Sequence, residues 1–477
     1  MALGFCTLCE DQLGMLGSHV TFRYEAKQKH DNMIYGIADV YKSLQEGTLE
    51  DTMFTIDATI IDVDLFNDWK YVQCSTCRRK VTTDEWEMAD KAFWATCYPD
   101  VSSVVSTSSL LLREGLLVVW IQMAINPDEE VSLLAENLEK WEKDEDASLV
   151  IIKGAGRAFS AGGDLKMFYN GRKSKDSCLE VVYRFYWLCY HIHTYKKPQV
   201  ALVHGISMGG GASLMVPMKF SVVTEKTVFA VPEASIGFHT DCSFSYILSR
   251  LPGRLGEYFA LTGARLNGDE LVAAGLATHL VPLDKLSALE NHLVSLNSGE
   301  ENAVKAAIEE FSLDVQISQE SVLHKQEIIN ECFSKDSVEE ILELFEAESR
   351  KEGNGWIVPV LKGLKRSSPT GLKITLKSIR DGREQTLSEC LKKEFKLTIN
   401  ILRAVISGDV YEGIRALTID KDNSPKWDPL TLGEVDSKKL DLVFQPFEEE
   451  EALELNLPKN EQHRWTGKYE ESVHAAS

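Results

Sequence analysis

The sequence predicts an α/β fold: a core in which strands and helices alternate, then a long helical C-terminal region, with a small β-rich unit in front. Three observations carry this prediction. Between residues 115 and 295, short apolar runs suited to buried strands alternate with amphipathic stretches of helical period. Beyond residue 295, nearly every patterned segment repeats at helical spacing. Before residue 105, β-branched and polar positions alternate over MFTIDATIIDVDLFNDWKYVQC.

In chain order, VSSVVSTSS (101–109) is small, polar and β-branched, and reads as the junction after the first unit. LLVVWIQMAI predicts a buried strand, VSLLAENLEKWEKDED an amphipathic helix, and SLVIIKGAG a second buried strand ending in glycines. The same order recurs in KKPQVALVHGISMGGG, a strand leading into a helix, followed by KFSVVTEKTVFAVPE, read as two short strands paired with each other. AVKAAIEEFSL, SVEEILELFEAESR, SPTGLKITLKSIRDG and LSECLKKEFKLTINILRAVIS predict helices. The expected divisions are residues 1–105, 115–295, 296–450 and an acidic, flexible tail over 451–477.

Composition excludes several function classes. No apolar run reaches the roughly 18 residues that a membrane-spanning helix needs. With 73 acids against 51 bases, the chain carries a formal charge of −22, which repels a nucleic-acid backbone. An anionic cofactor remains compatible, since its phosphates need only a few local cations and main-chain amides. Scattered cysteines point to a reducing compartment, and the first residues, MALGFCTLCEDQLG, read neither as a signal peptide nor as a transit peptide. By sequence alone the reading is cytosolic.

Two glycine-rich turns each follow an apolar strand: GRAFSAGGDLK (156–166) and HGISMGGGASLM (204–215). Main-chain amides at such turns can donate two hydrogen bonds to one developing oxyanion, a fitting arrangement for a thioester carbonyl. Either turn alone is as well explained by close strand-to-helix packing. The two together, with VFAVPEASIGFHTDCSFSYILSRLPG downstream, resemble the crotonase superfamily, which folds as ββα repeats and binds acyl-CoA. The resemblance implies that the thioester oxygen sits between the amides of Gly163 and Gly210, and that Ala161, Asp164, Lys166, Arg157 and Phe185 belong to the substrate site. It also implies catalytic roles for Glu233, in VPE, and Asp241, in EASIGFHTD, a carboxylate pair of the kind that hydrolysis requires. A hydratase would need a second glutamate where this chain has Ser213.

LKKEFKLTINILRAVISGDVYEGIRALTIDKDNSPKWDP (391–429) is similar to the C-terminal signature of the 3-hydroxyisobutyryl-CoA hydrolase branch. That branch releases CoA from a branched hydroxyacyl group in valine breakdown, with CoA as part of the substrate and no metal or redox cofactor. It works in mitochondria or peroxisomes, and the resemblance leaves self-association open. Arg415, Lys421 and Lys426 are candidates to face CoA phosphates, with surface ion pairing the commoner role for such residues. The chain departs from the branch at two places. Phe185, in VVYRFYWLCYHI, stands where a glutamate is usual, which points to less polar acyl groups. MAINPDEEVSLL is shorter than the loop that normally covers CoA, which keeps open a second reading: an impaired enzyme acting as a single-strand-binding or interaction protein.

That second reading draws on residues 53–86, which resemble part of the C-terminal OB-fold of the replication protein A large subunit. Cys74 and Cys77 form one zinc knuckle, but only Cys97 follows where a second pair is expected, so ordinary free thiols are the favoured reading and zinc the other. The excess of acids there argues against nucleic acid as a partner.

Overall fold

The computed structural model describes residues 127–447 except 155, 156, 175, 177 and 297, then 453–458 and 464–469. It also gives the backbone of strands at 19–22, 56–59, 72–74, 80–81, 110–113 and 116–121, with side chains described from Val131 onward. The chain divides into two compact units, residues 1–106 and 107–477. In the first, strands His19–Phe22, Ile56–Thr59, Val72–Cys74 and Lys80–Val81 form an antiparallel sheet in that order. Cys77 and the side chain of Cys74 lie outside the described residues, as does the OB-like reading of this unit.

The second unit is built on a six-stranded sheet in the order His279–Leu280, Phe220–Val223, Gln199–Val203, Leu149–Gly154, Leu116–Ile121, Leu110–Arg113. All neighbours are parallel except the last pair. The antiparallel edge strand begins at Leu110, so the unit starts before residue 115. Interior strands of a parallel sheet are covered on both faces and read as unbroken apolar runs. The alternation of side chains then divides each strand between two cores. Leu149, Ile151, Val200, Leu202 and Val222 pack with Leu289, Leu293 and Ile308 on one face. Val150, Ile152, Ala201, Val203 and Val223 join the main core on the other.

Three times the chain adds a strand to this sheet and then, after a short connection, a strand to a smaller one. Ala158–Ser160, Ile206–Met208 and Val228–Ala230 form that second sheet, parallel throughout, with Ile206–Met208 in the middle. The expectation that the two strands of KFSVVTEKTVFAVPE pair with each other is therefore wrong. Phe220–Val223 belongs to the large sheet and Val228–Ala230 to the small one, because each finds a parallel partner from an earlier repeat.

The C-terminal region is helical, as predicted. Ser368 caps the Pro369–Gly382 helix, which starts on proline, and a reciprocal Thr386–Glu389 capping box starts Leu387–Leu402. These helices bury Leu372, Ile379, Leu391 and Phe395 in the same core as Val150 and Phe229, so residues 296–450 share one interior with the sheets. The flexible-tail expectation fails for the tail's described parts. Leu455, Leu457 and Tyr469 are buried in this core, Arg464 pairs with Glu142, and Lys468 Nζ donates to the Val216 carbonyl at 2.9 Å. A few apolar anchors outweigh the acidic composition around them. No helix of the described residues is long and apolar enough to cross a membrane.

Candidate active site

The site follows from the small sheet. Its three strands are parallel neighbours, with Met208 opposite Ala230 on one side and, after a bulge that skips Phe159, Ser207 opposite Ser160 on the other. Their carboxyl ends therefore emerge side by side, and each leads directly into a predicted site element: Ala161–Gly163, Gly209–Gly211 and Glu233. The two glycine turns touch. A methyl group on Gly211 would come 2.8 Å from the Gly162 amide nitrogen and would also strike the Ser160 hydroxyl. Gly209 adopts φ +55°, which favours glycine, and a side chain there would meet Glu233 Oε1 at 2.9 Å. A Cβ on Gly210 would lie 3.2 Å from Cys242 Sγ and 3.3 Å from the Phe185 ring. Gly210, Glu233, Phe185 and the Asp241–Cys242 turn thus surround one spot.

Glu233 and Asp241 are buried. Loss of hydration, followed by the charge of Asp241, pushes the Glu233 carboxyl up to about 8. Burial raises Asp241 to about 6, opposed by a 2.7 Å hydrogen bond from the Tyr186 hydroxyl to its Oδ2. Glu233 is held more weakly, by its own main-chain amide and by the Thr240 hydroxyl at 3.5 Å. The pair can therefore share one proton around neutrality, with Asp241 ionised and Glu233 protonated.

A third carboxylate escaped the sequence reading. Glu394 is fully buried, and burial raises it to about 7. It accepts hydrogen bonds from the amides of Ser243 (2.7 Å) and Ser245 (2.8 Å). Cys242 and Ser243 have φ of 56° and 74°, a conformation that non-glycine residues hold only when the surroundings enforce it. Glu394 supplies that enforcement and so fixes the turn that carries Asp241. Tyr186, His239 and Thr398 were missed as well. The available signal was an acid inside the apolar stripe of an amphipathic helix: Cys390, Leu391, Glu394, Phe395 and Thr398 all lie on the buried face of Leu387–Leu402.

The other predicted binding residues are more peripheral. Asp164 caps the Leu165–Gly171 helix by accepting from the Lys166 amide at 2.8 Å, and Asp164, Lys166, Arg157 and Ala161 are exposed around the first turn. Arg415 takes the ion-pairing role, with Glu412, Asp420 and Asp422 all paired to it. Ser213 donates to the Gly210 carbonyl at 2.6 Å, a structural role within the turn. No group of three or more metal-ligating side chains occurs among the described residues.

Residues 125–444 match the family model described as enoyl-CoA hydratase/isomerase. The chain is 68% identical over 355 residues to 3-hydroxyisobutyryl-CoA hydrolase-like protein 5 of Arabidopsis thaliana, a match covering 74% of this chain and 92% of the relative. It is 41% identical over 313 residues to the mitochondrial 3-hydroxyisobutyryl-CoA hydrolase of Homo sapiens, covering 65% and 79%. Among solved structures, a carnitinyl-CoA dehydratase from Mycobacterium thermoresistibile superposes with a TM-score of 0.67 at 30% identity, covering 74% of this chain and 99% of that one.

Proposed function

Because this chain belongs to the enoyl-CoA hydratase/isomerase family, in its 3-hydroxyisobutyryl-CoA hydrolase branch, we propose that it hydrolyses the thioester of 3-hydroxyisobutyryl-CoA or a related short acyl-CoA. The observation that carries this reading is the buried Glu233–Asp241 pair beside two touching glycine turns. The amides of Gly163 and Gly210 polarise the thioester carbonyl and hold the oxyanion of the tetrahedral intermediate. Ionised Glu233 attacks the acyl carbon, or takes a proton from the water that does. Collapse of the intermediate breaks the carbon–sulfur bond and the thiolate leaves to be protonated as CoA; where water attacked, the free acid is formed at once, and where Glu233 attacked, an acyl anhydride remains that a water molecule then hydrolyses to the free acid and the Glu233 carboxylate. Asp241, with its charge fixed by Tyr186, steers the proton traffic. This chemistry calls for no metal and no redox cofactor.

Phe185 bears on the acyl group. Its ring edge lies against Gly210, so it borders whatever the oxyanion-holding amide positions. A ring offers a substrate hydroxyl no hydrogen bond, so discrimination in favour of hydroxylated chains is weak. Thiol release from 3-hydroxyisobutyryl-CoA, measured beside plain isobutyryl-CoA, tests both statements. Release from both is expected, with Phe185→Glu shifting the kcat/KM ratio about tenfold toward the hydroxylated chain. A purified chain that releases thiol from neither would end the hydrolase reading.

A further inference from the structure

We propose that His239 and Thr398 are positioning residues for the hydrolysis, holding Asp241 as the ionised and oriented carboxylate through a one-way hydrogen-bond chain that passes through Tyr186. The proposal rests on the reading of Asp241 as a working carboxylate. Four groups from three separated segments make the chain. Tyr186 Oη lies 2.7 Å from Asp241 Oδ2 and 2.6 Å from Thr398 Oγ1, and Thr398 Oγ1 lies 2.8 Å from His239 Nε2. Tyr186, His239 and Thr398 are each at most 2% exposed, so water does not compete for these bonds.

Donor arithmetic gives the chain its direction. An ionised carboxylate only accepts, so the single hydroxyl hydrogen of Tyr186 goes to Asp241. Thr398 must then donate to the Tyr186 oxygen, which commits its own hydrogen. His239 must therefore donate from Nε2, which makes it the neutral Nε2–H tautomer with Nδ1 bare. Nδ1 makes no hydrogen bond of regular geometry, the Thr240 main chain being its ring's one weak neighbour, and burial holds His239 down to about 3, far from the charged form. Each link that accepts a hydrogen bond becomes a stronger donor to the next. The bond reaching Asp241 is thus reinforced by two residues that never touch it.

The charged surroundings of Asp241 do not achieve this ordering by themselves. Glu233 faces it from the turn after the small sheet and Glu394 from the Leu387–Leu402 helix, and the charge of Asp241 raises both of them, so they yield their protons after it does. Cys242, next in sequence, is a weak donor whose thiol is pushed up by burial, and Tyr186 is the group from the Leu179–His193 helix. Lys393 acts on Glu394 and His239 and is not among the charges that move Asp241. Burial opposes the charge of Asp241, and the largest of the hydrogen bonds that favour it, ahead of those from Cys242 and its own main chain, comes from the tyrosine, which is held by Thr398 and His239.

The first test needs no variant. Imidazole 15N shifts of His239 in the full chain should show the Nε2–H tautomer between pH 6.5 and 8, and the Nδ1–H tautomer would reverse the chain and overturn the proposal. The second test titrates Asp241 in protein labelled with 13C-carboxyl aspartate, its signal identified by its loss in Asp241→Asn. Thr398→Val should raise the midpoint by about one pH unit, and Thr398→Ser should restore it. A midpoint unchanged in Thr398→Val, or equally raised in Thr398→Ser, would sink the idea. Thiol release separates the two claims: full activity in Asp241→Asn would refute the catalytic reading, whereas the titration judges the chain of hydrogen bonds directly.

Discussion

Thiol release by Glu233→Gln is expected to fall about a thousandfold in kcat, the usual range for removing a positioned acid or base. Glutamine keeps the shape that fits against Gly209 but can neither attack the acyl carbon nor accept a proton from water. In the unmodified enzyme, kcat/KM should climb with pH through about 8, because the proposed mechanism needs Glu233 ionised and its carboxyl is held up to about 8. Asp241→Asn removes the neighbouring negative charge and should move that rise to lower pH, even as it lowers the plateau. Stability runs the other way. In the unfolded chain Glu233 ionises near 4.5, whereas in the fold it does so only near 8. Over that window the unfolded state releases the proton first, so stability contributed by this residue is lost as pH rises. The Gln variant has no proton to release. It should therefore melt a few degrees above the parent at pH 8.5 and show little difference at pH 4.5. A variant that loses activity and also loses stability at pH 8.5 would show that Glu233 is held by contacts other than those described.

The parts of this architecture legible in the sequence share a physical property: they are local. Leu149–Gly154 and Gln199–Val203 announce themselves because strands buried on both faces need unbroken apolar runs, and the glycine turns because close approach excludes a Cβ. Glu233 and Asp241 carried no local signal of their own and were reached through the family resemblance of VFAVPEASIGFHTD. The partners of the two short strands between 220 and 230 were not, since parallel pairing joins residues from successive repeats and leaves no trace in adjacent sequence. The support of the site was hidden for the same reason. Tyr186, His239, Glu394 and Thr398 come from separate segments, and each looks like an ordinary core or helix-face residue until the fold brings them together. In the tail, composition misled: Leu455, Leu457 and Tyr469 are few among acids, yet they are what the core retains.

Replacing a different buried glutamate should have the opposite effect on stability. Glu257 is fully buried on the Leu255–Thr262 helix and accepts from Arg254 at 2.7 Å, Arg383 at 3.0 Å and Arg380 at 3.2 Å. Arg380 lies on the Pro369–Gly382 helix and Arg383 just past its end, so one carboxylate ties the sheet-bearing part of the unit to the helical C-terminal region. Breaking a fully buried ion pair typically costs about 3–5 kcal/mol, because an uncompensated charge is left behind. The three arginines are partly exposed, which lets water take up some of that charge, so Glu257→Ala is expected near the lower end, about 3 kcal/mol. The urea midpoint should fall accordingly, while kcat at low temperature stays close to that of the parent, because Glu257 touches none of the groups around Gly210. The contrast with Glu233 isolates the cause. Both residues are buried glutamates, but Glu257 is met by three cations and its loss destabilises. Glu233 is met by another carboxylate, and its neutral replacement stabilises once the pH favours ionisation. Finding the same sign for both variants at pH 8.5 would mean that packing, not charge, governs one of the two sites.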